Sequence, residues 1–131
     1  MTAMVHLMRL GARDRDLTRL FTIVIAEASA PDHPAHEWAA ARYANLTAIV
    51  VEALEDAQRG ELLRPDFDSH VVAVTLLATM DGLQLRDALT PYTVPIDEAF
   101  AQLAGQMLED LAFDSPRAAA AVAAWRRRHG S

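Results

Sequence analysis

The sequence predicts an all-α fold, a bundle of about six helices that forms one domain over residues 1–131. Apolar residues recur at intervals of three and four along nearly every segment, and no segment alternates at the period of two that strands show. The composition, 52% apolar and 23% charged with 5 Gly and 6 Pro, is that of a globular protein. The length fits a single domain.

The first two helices are short. The first spans about residues 2–10, and we expect Gly11 to end it because glycine is a poor helix former. The second begins near Asp14 or Asp16, since either carboxylate can accept hydrogen bonds from free N–H groups of a first turn. The apolar stripe of this second helix is spaced by three and four and consists of Leu17, Leu20, Phe21, Val24 and Ala28.

The third helix is the longest and spans about residues 34–59. Pro34 suits its first turn, where a missing N–H costs nothing. Gly60 is expected to end it as a left-handed cap, and Pro65 prevents continuation. The apolar face of this helix consists of Leu46, Ile49, Val50, Ala53, Leu54 and Ala57.

The fourth helix begins at Asp66 or Asp68, either of which can cap it, and reaches about residue 89. Between residues 71 and 80 it is apolar nearly all round. A helix of that kind is buried on two sides, so we expect this one to pack against its own domain and against a second surface. Pro91 and Pro95 bracket the loop that follows.

The last two helices span about residues 96–113 and 116–128. Gly105 lies in the middle of the fifth helix, where it costs about 1 kcal/mol relative to alanine. A close approach of another helix would explain that choice. Asp114 and Ser115 precede Pro116 and cap the sixth helix, and the arginines at 126–128 complement the negative end of its dipole.

Composition and charge exclude several functional classes. The net charge is −6, whereas a domain that grips DNA through its phosphates is normally basic. The apolar stretch at 71–80 is shorter than the roughly 20 residues of a membrane-spanning helix. The N-terminal residues lack the pattern of a signal peptide, and no cysteine is present. We therefore expect a cytoplasmic protein without disulfides or thiolate metal sites.

No motif indicates catalysis or a cofactor. The sequence contains no Gly-x-Ser-x-Gly elbow, no phosphate-binding glycine loop and no His-Glu-x-x-His helix. Two groups imitate metal sites, one made of His33, His36 and Glu37 and the other of Asp66, Asp68 and His70. The first lies at a junction between loop and helix without a third anchored ligand, and helix capping explains the second better. We predict a protein that is not an enzyme and binds no metal.

Three stretches together carry a family resemblance. They are RLFTIVIAEA at 19–28 with PDHPAH at 31–36, GELLRPDFD at 60–68, and LLATMDGLQL at 76–85. Their order and spacing resemble the C-terminal domain of TetR-type transcriptional regulators, over roughly residues 2–113. The resemblance implies a small-molecule effector bound inside the bundle and a homodimer.

The implied homodimer is a four-helix bundle made by helices 68–89 and 96–113 of two chains. This agrees with the apolar character of residues 71–80. The alternative is that the same residues fill the core of a single chain. The candidate interface residues are Val72, Leu76, Thr79, Leu83, Phe100, Leu103 and Met107.

The implied ligand pocket lies among the first four helices, and such pockets are mostly apolar with a few converging polar groups. Tyr43 and Gln84 are placed to orient a polar end. Glu27 offers a carboxylate to a cationic ligand, or is solvated or paired with an arginine. For every candidate the alternative is ordinary core packing. The candidates are Met4, Met8, Phe21, Ile25, Trp38, Tyr43, Met80 and Gln84.

Members of the resembled family begin with a helix-turn-helix domain, and residues 1–131 contain no such segment. We therefore expect DNA contact only through a helix-turn-helix domain absent from this chain. Two other functions stay open: a regulator-like protein that pairs with a full-length relative and titrates it from DNA, and a small-molecule carrier.

Overall fold

The computed structural model describes residues 1–90 and 95–129 and confirms the all-α fold. Pro91, expected to open the loop before the fifth helix, lies outside the described residues. In the described part of the chain no helix is long and apolar enough to span a membrane. The helices are α1 Thr2–Arg13, α2 Arg15–Glu27, α3 His36–Arg59, α4 Ser69–Leu89, α5 Ile96–Asp110 and α6 Pro116–His129.

Helix α4 is the centre of the bundle, and α2, α3 and α5 all pack against it. Helix α1 closes the core by packing against α5, and α6 covers the outside of α5 and also contacts α1. This arrangement follows from the three-and-four spacing, which gives each helix one apolar side to bury. The main core contains Met4, Val5, Met8, Leu76, Leu77, Met80, Ile96, Phe100, Ala101 and Ala104.

The N-terminal caps resolve the alternatives that the sequence left open. Asp14 caps α2, because its side chain accepts a hydrogen bond from the Leu17 N–H at 3.1 Å. Asp68 caps α4 by accepting from the N–H groups of His70 and Val71, at 2.8 and 3.2 Å. Asp66 instead lies 3.4 Å from the Arg64 guanidinium in an exposed ion pair.

We expect Asp68→Ala to lower the free energy of unfolding by about 1 kcal/mol, because the first turn of α4 then loses the acceptor for two N–H groups. Asp66→Ala is the matched control and should change it by less than about 0.5 kcal/mol, since an exposed ion pair contributes little. Urea unfolding monitored by circular dichroism measures both. Equal losses in the two variants would contradict the assignment of the cap.

Three predicted helix ends are corrected. Helix α1 continues past Gly11 to Arg13, and Asp14 alone separates it from α2. Gly60 is not left-handed (φ −82°); the left-handed residue is Glu61 (φ 54°), one position later. The N–H groups of Glu61 and Leu62 bond the carbonyls of Gln58 and Ala57, which is a Schellman turn.

The third corrected end is that of α5, which stops at Asp110 rather than at Phe113. The residues that follow pair with the turn after α3: the Arg64 N–H donates to the Leu111 carbonyl at 2.9 Å, and the Phe113 N–H to the Leu62 carbonyl at 3.0 Å. These long-range hydrogen bonds replace a last helical turn of α5. No local sequence pattern predicts them.

Another helix approaches Gly105 closely, as its position in the middle of α5 predicted, and that helix is α6 of the same chain. A Cβ atom on Gly105 would lie 3.2 Å from Trp125 Cζ3 and 3.3 Å from Arg126 Nε. A salt bridge of 2.9 Å between Arg126 and Glu109 joins the same two helices. Ser115 begins α6 as expected, because its hydroxyl oxygen accepts a hydrogen bond from the Ala118 N–H at 3.1 Å.

Candidate ligand-binding site

An open cavity lies between the first four helices. Helices α2 and α3 both pack on α4, and the space left between them and α1 has a volume of about 520 Å³. That volume is within the range of small-molecule sites. The walls are mainly apolar and are formed by Leu7, Leu10, Asp14, Leu17, Thr18, Phe21, Arg42, Tyr43, Leu46, Leu77, Met80, Asp81 and Gln84.

A hydrogen-bonded pair supplies the main polar feature of this cavity. The Tyr43 hydroxyl on α3 donates to Asp81 Oδ2 on α4 at 2.8 Å. Burial, then the hydrogen bond to Asp81, raises the pKa of Tyr43, so the phenol stays protonated and remains a donor. Burial also raises the pKa of Asp81, while the Tyr43 hydrogen bond and the Arg42 charge oppose that rise. The pair therefore holds a carboxylate in a mostly apolar wall.

Arg42 lies at the edge of the cavity and is held by aromatic rings. Its guanidinium carbon is 5.1 Å from the centre of the Phe21 ring and 5.9 Å from that of the Trp38 ring. Such cation–π contacts contribute roughly 0.5–1 kcal/mol at an exposed site. The contact with Phe21 joins α2 to α3, and the contact with Trp38 lies within α3.

Four of the eight predicted ligand residues line the cavity: Phe21, Tyr43, Met80 and Gln84. Met4 and Met8 do not. They are 6% and 0% exposed in the core, so their assignment to the site is corrected. The periodic pattern predicts which side chains point into the bundle, but it does not predict whether such a side chain packs in the core or lines a cavity.

The other two predicted residues also lie away from the cavity wall. Ile25 is half-buried on α2, beyond Phe21 along the helix. Trp38 is 53% exposed and borders a separate shallow groove on α3. Glu27, considered as a partner for a cationic ligand, is exposed at the end of α2 and is absent from the cavity wall. The assignments of Ile25 and Trp38 are therefore corrected as well, while the exposure of Glu27 agrees with the solvated alternative.

Asp81 is the functional candidate that the sequence analysis missed. It directly follows Met80, where the apolar run of α4 ends. A carboxylate at the end of a run that is apolar nearly all round indicates a functional or paired residue, because burying a carboxylate without a partner is costly. Its partner Tyr43 is 38 residues away, so the pairing itself needs the fold.

The groups that imitate metal sites have other roles. The His33 Nδ1 atom accepts a hydrogen bond from the Ala35 N–H at 3.1 Å, and the His36 Nδ1 atom lies 2.8 Å from the Ala28 carbonyl, to which it donates. Asp68 is the cap of α4. Within residues 1–90 and 95–129, no three His, Asp or Glu side chains are grouped to hold a metal ion.

We expect Tyr43→Phe to raise the pKa of Asp81 further, because the hydrogen bond that favours the charged carboxylate is lost. When the pKa of a carboxyl is higher in the folded than in the unfolded state, the protein loses stability as the pH rises from the unfolded-state pKa, 3.8 here, through the folded-state pKa. The variant should therefore lose more stability than the parent across that window. Carboxyl NMR titration of Asp81 measures the pKa, with Asp81→Asn to assign the signal. An unchanged titration would contradict the role of the hydrogen bond.

Helix α4 also carries an exposed apolar stripe on the side away from the core. The helical turn of 100° per residue places its members on one side, opposite the buried Ala73, Leu76 and Met80. Val74 is 45% and Leu85 47% exposed. We call this the outer stripe of α4; its members are Val71, Val74, Thr75, Ala78, Gly82, Leu85 and Leu89.

The outer stripe differs from the predicted interface. Leu76 and Phe100 are 0% exposed within the single chain, so neither can contact a partner directly, and that part of the prediction is corrected. Val72, Thr79, Leu83 and Met107 are half-buried, and Leu103 is 39% exposed on α5. The predicted set is divided between α4 and α5, whereas the outer stripe lies on α4 alone.

The comparison with known protein families agrees with this architecture. The family model described as BetI-type transcriptional repressor, C-terminal, matches residues 2–112. Those residues include α1 to α5, and α6 lies beyond them. No curated protein and no solved structure gives a match. The chain therefore belongs to the TetR-type regulators, as a C-terminal domain of the BetI type.

Proposed function

We propose that this domain senses a small apolar or amphipathic effector in the cavity among helices α1, α2, α3 and α4. We also propose that it forms a cytoplasmic homodimer within a transcriptional regulator. The observation that carries the proposal is the cavity itself, with apolar walls and one carboxylate–phenol pair. In the assembled regulator, DNA is contacted by a helix-turn-helix domain outside the described residues.

The walls indicate the chemistry of the effector. Leu10, Leu46 and Leu77 offer an apolar lining, while the ionised Asp81 can only accept hydrogen bonds. An effector suited to this cavity has an apolar body and one end that donates hydrogen bonds or carries positive charge. Binding it would also remove the energetic penalty of an ionised carboxylate in a half-buried position.

Helix α4 can connect the effector to the dimer. Leu77, Met80 and Asp81 line the cavity, and the outer stripe runs along a neighbouring side of the same helix. A ligand that rotates or shifts α4 by fractions of a turn would therefore move both surfaces. Any such coupling is reciprocal, so dimer geometry would also alter effector affinity.

The test is a thermal-shift panel of amphipathic amines, with alcohols and carboxylates of the same chain length as controls. We expect the amines to raise Tm most, because a ligand that binds only the folded state stabilises it. Asp81→Asn should remove the advantage of the amines, and Glu52→Gln, an exposed site on α3, should retain it. Equal shifts from all three classes, or an advantage retained in Asp81→Asn, would refute this cavity as the effector site.

A further inference from the structure

A carboxylate and a guanidinium lie near each other in the wall of the effector cavity. Arg42 lines the same cavity as the Tyr43–Asp81 pair and directly precedes Tyr43 on α3. Burial raises the pKa values of Asp81 and Tyr43, and the positive charge of Arg42 opposes both rises. Asp14, the other charged residue of the wall, is used as the cap of α2. The charges of Asp81 and Arg42 therefore face a ligand together.

Both charged groups can bind a ligand. The Tyr43 hydroxyl donates to Asp81 Oδ2 at 2.8 Å, and among the described residues no donor is paired with Asp81 Oδ1. Arg42 is exposed, and its guanidinium lies over the rings of Phe21 and Trp38 without a salt bridge to any described residue. A planar guanidinium on aromatic faces keeps the N–H donors at its edge available for a carboxylate.

The charge of Arg42 favours a zwitterion over a simple amine. An ammonium group bound to Asp81 would lie near the guanidinium, and this like charge weakens its binding. A carboxylate beside the ammonium in the same ligand changes the repulsion into attraction, because it accepts charge-assisted hydrogen bonds from Arg42. An α-amino acid carries these two groups on one carbon atom. Its side chain would then face the apolar part of the wall.

We propose that the effector of this cavity is an apolar α-amino acid, whose ammonium binds Asp81 and whose carboxylate binds Arg42. The apolar side chain of the ligand lies against Leu46 and Leu77. This proposal rests on the effector site proposed above and adds the charge pattern of the ligand. Arg42 is then the residue that discriminates a zwitterion from an amine of the same chain length.

The probe is 2-aminooctanoate at pH 7, with heptylamine, which lacks the carboxylate, and octanoate, which lacks the ammonium, as matched ligands. Isothermal titration calorimetry measures the three Kd values. We expect 2-aminooctanoate to bind at least about tenfold more tightly than either matched ligand. Heptylamine or octanoate binding as tightly as 2-aminooctanoate would overturn this proposal; if that heptylamine binding also requires Asp81, the effector site itself stands. No binding of either 2-aminooctanoate or heptylamine would overturn both proposals.

Arg42→Gln should change the two affinities in different ways. We expect it to weaken 2-aminooctanoate binding at least about tenfold, and to leave heptylamine binding unchanged or tighter because the like charge is gone. A general loss of structure would weaken both ligands. Arg19→Gln, at an exposed position of α2 outside the cavity wall, is the matched control and should leave both Kd values unchanged. Weaker binding of both ligands by Arg42→Gln, or equal effects of the two substitutions, would overturn the role of Arg42.

Discussion

Val74→Glu is expected to convert the proposed homodimer into a soluble, folded monomer. Val74 lies at the middle of the outer stripe and is 45% exposed in the single chain, so a glutamate there stays hydrated in the monomer. In a dimer packed through this stripe, the same carboxylate would be buried without a partner, at a cost of several kcal/mol. Size-exclusion chromatography with light scattering measures the mass. A dimer that persists at micromolar protein concentration would refute the stripe as the interface.

Leu76→Glu separates the two candidate interfaces. Leu76 is 0% exposed in the core, so a glutamate there should unfold the chain instead of yielding a folded monomer. Circular dichroism distinguishes the outcomes, since Val74→Glu retains helix and Leu76→Glu loses it. If Leu76→Glu gave a folded monomer, the originally predicted interface would stand.

Gly82→Ala probes the same stripe with a smaller change. A Cβ atom on Gly82 meets nothing within 4 Å in the single chain. Alanine should therefore stabilise the monomer by up to about 1 kcal/mol through helix propensity. If a partner helix packs closely at this glycine, the added methyl group weakens dimerisation instead. A stabilised monomer with an unchanged dimer Kd would show that no helix approaches Gly82.

Phe100→Ala should lower the free energy of unfolding by about 3–5 kcal/mol. Phe100 is 0% exposed and contacts the core formed by α1, α4 and α5, so its removal leaves a cavity among rigidly packed neighbours. Leu103→Ala, one turn further along α5, is the matched control. That side chain is 39% exposed and should cost less than about half as much.

Urea unfolding of both variants in the Val74→Glu background measures these losses without a contribution from dissociation. Similar losses for Phe100→Ala and Leu103→Ala would contradict the packing of α5. The comparison bears directly on the sequence prediction, which assigned both residues to one interface. In the structure they are about 60° apart around the helix, with Phe100 in the core and Leu103 at its exposed margin.

Local chemistry explains which parts of the fold were predictable. The caps at Asp14, Asp68 and Ser115 depend on residues at most three positions away, and all three appeared among the sequence candidates. The end of α5 was wrong because it depends on backbone pairing between residues about fifty positions apart. Glu61 was missed because its left-handed conformation is imposed by the Schellman turn and is unusual for glutamate.

The candidate site was half predictable for a related reason. Phe21, Tyr43, Met80 and Gln84 were identified as apolar or amphipathic residues on the inner sides of helices, and so were Met4 and Met8, which the core encloses. No feature of the sequence separates these two groups. The distinction depends on how far apart neighbouring helices lie, which is a property of the whole bundle.

By itself, the sequence determined the helices, their order, most of their ends and the family, because periodicity, capping and motif order are local properties of the chain. Only the tertiary structure decided what each apolar side covers. It placed Leu76 and Phe100 in the core, left the outer stripe of α4 exposed, and joined Tyr43 to Asp81. The physical reason is that the hydrophobic effect is non-directional. Removing apolar area from water is favourable whichever surface covers that area, so the sequence pattern does not specify the covering surface.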